Sequence, residues 1–266
     1  MAQVDRSLKS YEEILGVGYL HYGLWEPDDP LTLDGVKIAQ ERYADFLCSW
    51  IPEGVETILD SGCGTGGNAL KLKGLGYEVE GLSPDSYQQE RFAERTGGLP
   101  FHLTKLEDFD PPHTYDLVLM SESAQYVELP ELFPCVRRAA PGGYHLVSDY
   151  FPFEKTGHRL DRSGHQLDAF LASAKAEGFE LLRREDITDR VLPSLDYARQ
   201  LVDTWGLPLF HAAVGSFEKD HPWLFRLGRW VLRKRIAKIQ DQEVLIDSAE
   251  FKRRKSYEVF LFRVPE

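Results

Sequence analysis

Ile58-Leu59-Asp60-Ser61-Gly62-Cys63-Gly64-Thr65-Gly66-Gly67 sets a short β-type run directly against glycines and then a helix-like segment at 68–75. Glycines at such a junction let the main chain turn tightly and approach a ligand, and the free N–H groups of the following helix face the same space. The chemistry this suits is the cradling of a nucleotide-bearing cofactor. Gly62, Gly64 and Gly67 satisfy the dinucleotide-binding fingerprint, which carries weight only where a strand, a helix and the end of the next strand agree with it. Groups able to move a proton stand at comparable junctions: Glu122, Asp149 and His21.

The elements that must position these residues alternate. Residues 57–60 read as a first strand, 68–75 as a helix closed by Gly76, and 77–82 as a second strand with Ser83 at its end. A helix near 86–95 and a short strand at 101–103 follow, with 104–109 in the next loop. The fourth strand, 115–120, is apolar enough to be covered on both faces and delivers Ser121-Glu122-Ser123 to the ligand edge. A helix over 129–140 ends at Pro141-Gly142-Gly143, and strand five, 144–148, delivers Asp149-Tyr150-Phe151. A helix at 167–177, a sixth strand at 179–187 and an alternating final strand at 257–264 complete a doubly wound sheet. In such sheets ligands sit beyond the carboxyl ends of the strands.

Three segments stand outside the alternation. Tyr11, Ile14, Leu15 and Val17 give residues 1–18 the pattern of a short amphipathic lid. The aromatic run Tyr19-Leu20-His21-Tyr22-Gly23-Leu24-Trp25 either packs that lid onto the domain or closes over a ligand. A helix at 32–50, capped by Thr32 or Asp34, leads into the sheet. Residues 188–250 read as a helical insertion, with a helix at 197–205 and apolar residues Trp205, Leu207, Leu209, Phe210, Phe217, Trp223, Leu224 and Phe225. The expected organisation is a helical N-terminal lid over 1–50, a Rossmann-like α/β domain of seven strands over 51–187 and 251–266, and a helical cap over 188–250 before the last strand.

The chain has 266 residues and a formal net charge of −12, so broad attraction to nucleic acid is not expected. The three cysteines, Cys48, Cys63 and Cys135, have neither paired zinc-ligand spacing nor a disulfide framework, which suits a reducing compartment. No metal is expected. No signal-peptide core and no bilayer-length apolar run is present, and the expected location is cytoplasmic. Arg226, Arg229, Arg233, Lys234, Arg235 and Lys238 lie along 224–239 with Trp230, Val231 and Ile236, a pattern that can rest on an anionic membrane or form a solvated face.

Two cofactors compete for the glycine turn. A nicotinamide site wants an acid at the end of strand two for the ribose hydroxyls, where Ser83 stands, with Asp85 two residues on. The run Ile58 to Gly66, with Asp60 ahead of the glycines, together with Tyr115-Asp116-Leu117-Val118, Pro141-Gly142-Gly143 and the returning last strand, resembles class I S-adenosylmethionine-dependent methyltransferases. Tyr22-Gly23, Leu31-Thr32-Leu33 and Ala39-Gln40 are similar to the branch of cyclopropane fatty-acid synthases and tocopherol or sterol methyltransferases, although Ser83-Pro84-Asp85 replaces that branch's threonine-leucine-serine. The resemblance implies S-adenosylmethionine as cofactor. It sets Gly62 and Gly64, with Ser61 and Cys63 between and beside them, against the methionine portion, Asp60 orienting the turn and Ser83 near the ribose. It also implies Leu106 and Glu107 beside the adenine, Met120 and Ser121 at the methionine or sugar, and Tyr22 near the carboxylate.

Methyl transfer from a sulfonium is an in-line displacement in which the protein aligns the nucleophile and removes its proton. Glu122 is the first candidate base, with Asp149 and His21 behind it; a packed histidine or a carboxylate holding a cationic substrate is the alternative role. The insertion implies an apolar or aromatic small-molecule acceptor, methylated on oxygen, nitrogen or carbon. A non-catalytic S-adenosylmethionine-binding protein and an NAD(P)-dependent oxidoreductase remain the other readings.

Overall fold

The structure is a computed structural model and describes residues 18–206 and 243–266, with Pro208 and Lys219 between them. The lid helix, residues 207, 209, 210, 217 and 223–225 of the apolar set, and the basic run 224–239 lie outside the described residues. Among the described residues no helix is long and apolar enough to cross a membrane.

Seven strands form one sheet in the order β3-β2-β1-β4-β5-β7-β6. They are β1 (Thr57–Ser61), β2 (Glu78–Leu82), β3 (Phe101–His102), β4 (Leu117–Ser121), β5 (Tyr144–Pro152), β6 (Glu180–Asp186) and β7 (Lys255–Arg263). The first five run parallel, and β7 runs antiparallel between β5 and β6. Helices α1 (Leu33–Cys48), α2 (Gly67–Gly74), α3 (Ser86–Thr96), α4 (Leu129–Ala139), α5 (Leu167–Ala176), α6 (Thr188–Leu201) and α7 (Ser248–Arg254) flank it. This is the expected Rossmann-like α/β architecture.

Local chemistry sets the boundaries. Thr32 caps α1 by accepting from the Gly35 N–H, and Asp85 caps α3 by accepting from Tyr87 and Gln88. In β4, Leu117, Val118, Leu119 and Met120 are all buried, as a central strand covered on both faces requires. One face of the sheet packs Phe133, Phe170, Phe179, Phe260 and Phe262 beneath α4 and α5. The other packs Tyr43, Leu47, Ile58, Leu72, Phe92 and Tyr257 beneath α1, α2 and α3.

Two boundaries differ from the sequence reading. Strand β5 continues to Pro152 because β7 pairs with it over nine residues, from Tyr144↔Arg263 to Pro152↔Lys255. Asp149 is therefore inside the ladder, opposite Glu258, and not beyond the strand's end. Helix α6 starts at Thr188, directly after β6, and its Val191 and Leu195 pack into the sheet core. Asp186 initiates it by accepting from the Thr188 N–H at 2.8 Å.

Candidate functional site

The glycine turn is fastened from two sides. The Gly62 and Cys63 N–H groups donate to Leu82 O at 2.8 and 3.3 Å, and Ser123 Oγ donates to Ser61 O at 2.6 Å. Gly62 has φ +80°, and a Cβ there would overlap Ser123 Cβ, so both backbone conformation and space demand glycine. Gly64, at φ +55°, faces Leu20, whose Cδ1 would stand 3.2 Å from an added Cβ. Asp60 lies buried behind the turn; its Oδ2 has no partner among the described residues, and burial lifts the acid to about 7.

In front of the turn, at the carboxyl ends of β1, β2 and β4, is a cavity of about 520 Å³, within the range of small-molecule and cofactor sites. Its wall contains Ser61, Gly62, Cys63, Gly64, Ser83, Leu106, Glu107, Met120, Ser121, Glu122 and His21. Tyr22, Asp60 and Asp149 do not line it. Tyr22 turns its ring toward Tyr257 and Phe251, at centroid distances of 5.8 and 6.4 Å, while its neighbours Tyr19, Leu20 and His21 form the wall. The Asp149 carboxylate is closed onto main chain, accepting from Tyr150 N–H at 2.8 Å and Gln125 N–H at 3.2 Å. Burial lifts it to about 7, but it stands behind Tyr150, which lines the cavity.

Tyr19 and Leu20, from the aromatic run that the sequence allowed to close over a ligand, and Tyr150, delivered by β5, also form the wall, while Asn68, Gln88, Lys105, Gln125 and Tyr126 in it carry no expectation as site residues from the sequence. Ser83 does not stand alone, because its hydroxyl donates to Gln88 Oε1 at 2.6 Å. Asp85 lines the cavity while capping α3. Tyr126 is 78% exposed, a large ring at the mouth. Four residues after Glu122, it is signalled only by the turn that follows β4.

Glu122 is the most constrained group in the site. It is the non-glycine residue with positive φ among the described residues, at +56°, a conformation that costs on the order of 1 kcal/mol and clusters at functional sites. Its N–H donates to Ser148 O at 2.7 Å, which fixes the chain as it leaves β4. Oε1 accepts from the Tyr22 N–H and the Tyr257 O–H, each at 2.7 Å. Burial raises the acid to about 7, against the pull of those two donors. Beyond Tyr257, Tyr43 Oη lies 2.9 Å from Tyr257 Oη and 2.7 Å from Ser148 Oγ, so a buried run of hydroxyls backs the carboxylate. A carboxyl poised near neutrality beside a cavity can hold or accept a proton at physiological pH.

A family model described as "Methyltransferase domain" matches residues 37–219. A sterol 24-C-methyltransferase of Aspergillus fumigatus is 31% identical over 202 residues, which cover 66% of this chain and 50% of that protein. The chain thus spans about half the length of the curated relatives it matches. Among solved structures, a geranyl diphosphate methyltransferase in complex with geranyl diphosphate and sinefungin superposes with a TM-score of 0.68 at 16% identity, covering 97% of this chain and 94% of that one. The geranyl diphosphate C-methyltransferase of Streptomyces coelicolor A3(2) gives 0.65 at 14% identity, covering 97% and 96%. At these identities the structural likeness speaks to the fold. The matched domain, which takes in the glycine turn, and the sheet order decide between the two cofactors that the turn alone leaves open: the chain belongs to the class I S-adenosylmethionine-dependent methyltransferases.

Proposed function

We propose that this protein methylates an apolar or aromatic small-molecule acceptor, with Glu122 as the general base. The observation that carries this reading is the strained, partly buried Glu122, poised near neutrality in the wall of the same cavity that the glycine turn lines. The residues present fit the cofactor: a Cβ would fill the turn at Gly62, and the N–H groups opening α2 have no side-chain cap from Gly66. Gly62 and Gly64 would hold its methionine portion, Ser83 and Gln88 its ribose, and Leu106 and Glu107 its adenine. S-adenosylmethionine, when bound, supplies a methyl group on a sulfonium that is its own leaving group.

The chain's contribution is alignment and proton removal. Glu122 would accept the proton of a hydroxyl, amine or activated carbon. The Tyr22 N–H and Tyr257 O–H stabilise its anionic form, so it would be a stronger acid than burial alone dictates. Asp149, closed on backbone N–H groups, would hold the chain beneath Tyr150 rather than touch an acceptor. Tyr19, Tyr126 and Tyr150 add aromatic rings to the cavity wall, which suits an aromatic or hydrocarbon acceptor. The segment between β6 and β7, rich in apolar side chains in the sequence, would complete the acceptor site, and its basic run 224–239 would be either a solvated face or a surface for an anionic membrane. A curated relative at 31% identity is named for methylation of a sterol, which supports an apolar acceptor without naming it.

The test is label transfer. The protein is incubated with trideuteriomethyl-S-adenosylmethionine and a panel of phenols, quinols, aryl amines, sterols and prenyl alcohols, beside a second panel of polar, charged acceptors (amino acids, aliphatic amines and carboxylates), and products are read by mass spectrometry. Label on at least one apolar or aromatic acceptor, lost in Glu122→Gln, is expected. Label only on polar, charged acceptors would overturn the acceptor class, and full activity in Glu122→Gln would overturn the base.

A further inference from the structure

Residues 18–22 lie across the opening turn of α2. A Cβ at Gly67 would stand 2.6 Å from both Gly18 O and Tyr19 Cδ1. The segment is pinned from outside: Gln40 Nε2 donates to His21 O at 2.7 Å and to Tyr19 O at 3.1 Å, and Arg95 Nη1 donates to Gly18 O at 2.7 Å. His21 is therefore held, 6% exposed, between the rings of Tyr19 and Tyr43 at centroid distances of 4.8 and 4.2 Å, while forming part of the cavity wall.

The hydrogen on this imidazole can be placed by elimination. Nδ1 lies 2.7 Å from Tyr22 O, and a carbonyl oxygen can only accept, so Nδ1 carries the hydrogen. Burial moves the imidazolium down to about 4, so the ring is neutral at physiological pH and Nε2 presents a bare lone pair. That atom is buried and has no partner among the described residues. Asn68, in the first turn of α2, lines the same cavity, and its side chain lies within hydrogen-bonding reach of the His21 ring, where the amide oxygen and the bare Nε2 are acceptor facing acceptor. Its Oδ1 is likewise buried without a partner among the described residues. Two buried acceptors thus face one region, beside helix N–H groups that Gly66 leaves without a side-chain cap.

Acceptors adjacent to open donors are the complement of a zwitterion, and an ammonium carries three donors. We infer that His21 Nε2 and Asn68 Oδ1 receive the α-ammonium of the cofactor's amino-acid portion, so that His21 is a binding residue and not a base. The inference rests on the cofactor assignment made above. It turns the His-Tyr pair of the sequence around: His21 faces the ligand, while Tyr22 serves Glu122 through its main chain.

The experiment is calorimetric titration of the full chain, as wild type, His21→Phe and Asn68→Ala, with S-adenosylhomocysteine and with 5′-methylthioadenosine. The second ligand keeps the nucleoside and thioether but lacks the amino-acid head. Each variant should bind S-adenosylhomocysteine about tenfold more weakly, or about 1.4 kcal/mol, and methylthioadenosine within about twofold of wild type. Asn68→Asp, which keeps the acceptor oxygen and adds charge, should retain S-adenosylhomocysteine affinity and guards against a mere helix defect in Asn68→Ala. Parallel weakening of both ligands, or unchanged S-adenosylhomocysteine affinity in His21→Phe, overturns the assignment and leaves His21 as a packed residue satisfied by Asn68. A wild-type protein that binds neither ligand is a separate outcome: it overturns the cofactor assignment itself and this inference with it.

Discussion

The O–H of Tyr257, on β7, donates to Oε1 of Glu122 at 2.7 Å, although β5 lies between their strands in the sheet. This bond and the Tyr22 N–H occupy one carboxylate oxygen, which orients the group and favours its charged form against the desolvation that raises it to about 7. A general base must be unprotonated to act. The acceptor-dependent rate should therefore rise with pH through about 7 and level above it. Glu122→Gln should lower kcat by roughly 10²- to 10⁴-fold while S-adenosylhomocysteine affinity changes little, as steady-state kinetics and calorimetry would report.

Tyr257→Phe removes a donor that stabilises the carboxylate and leaves its shape otherwise intact. The ascending limb of the pH–rate profile should move to higher pH, so the variant loses more activity at pH 6.5 than at pH 8.5. An equal loss at both would assign Tyr257 to packing alone.

Asp60 makes a stability prediction with a definite sign. Its folded-state pKa, raised to about 7, exceeds the ordinary carboxyl value, so the native state binds the extra proton between about pH 4 and pH 7. That contribution is present at low pH and is lost as pH rises through 7. Asp60→Asn carries no charge to bury, so its thermal stability relative to wild type should grow from pH 5 upward, by about 1.4 kcal/mol for each step of one in pH, and level above about pH 7. A constant difference in melting temperature across pH 5 to 8 would contradict it.

The two central glycines should fail differently. Gly62→Ala sets a Cβ onto Ser123 at φ +80° and should destabilise by roughly 2 kcal/mol or more, seen as a lowered Tm. At Gly64 the neighbour that a Cβ meets among the described residues is the end of a flexible leucine, at 3.2 Å, and φ is +55°. Gly64→Ala should cost about 1–2 kcal/mol of stability, less than Gly62→Ala, and show chiefly as weaker S-adenosylhomocysteine binding.

Much of this site is legible in the sequence because it follows from local pattern. The glycines, Ser83 and Glu122 fall at strand ends that alternation and turn signals mark within a few residues. The sequence marks the run 19–25 as one that packs the lid or closes over a ligand, and only the family resemblance singles out Tyr22 in it; an irregular segment gives no phase, and which side chains turn inward depends on the anchors Gln40 and Arg95. The sequence sets Asp149 at a strand end because the partner that prolongs β5 lies more than a hundred residues later. Asn68 and Gln88 carry no sequence signal, since only the way α2 and α3 pack on the sheet turns them to the cavity. The hydroxyls of Tyr43 and Tyr257 are hidden for the same reason: Tyr257 meets Glu122 through the core, and Tyr43 stands behind Tyr257.

Calorimetric titration with S-adenosylhomocysteine, with NADH as the control ligand, tests the central claim most directly. Saturable micromolar binding of S-adenosylhomocysteine, lost in Gly64→Val, and no heat with NADH are predicted. Binding of NADH without binding of S-adenosylhomocysteine would contradict the account.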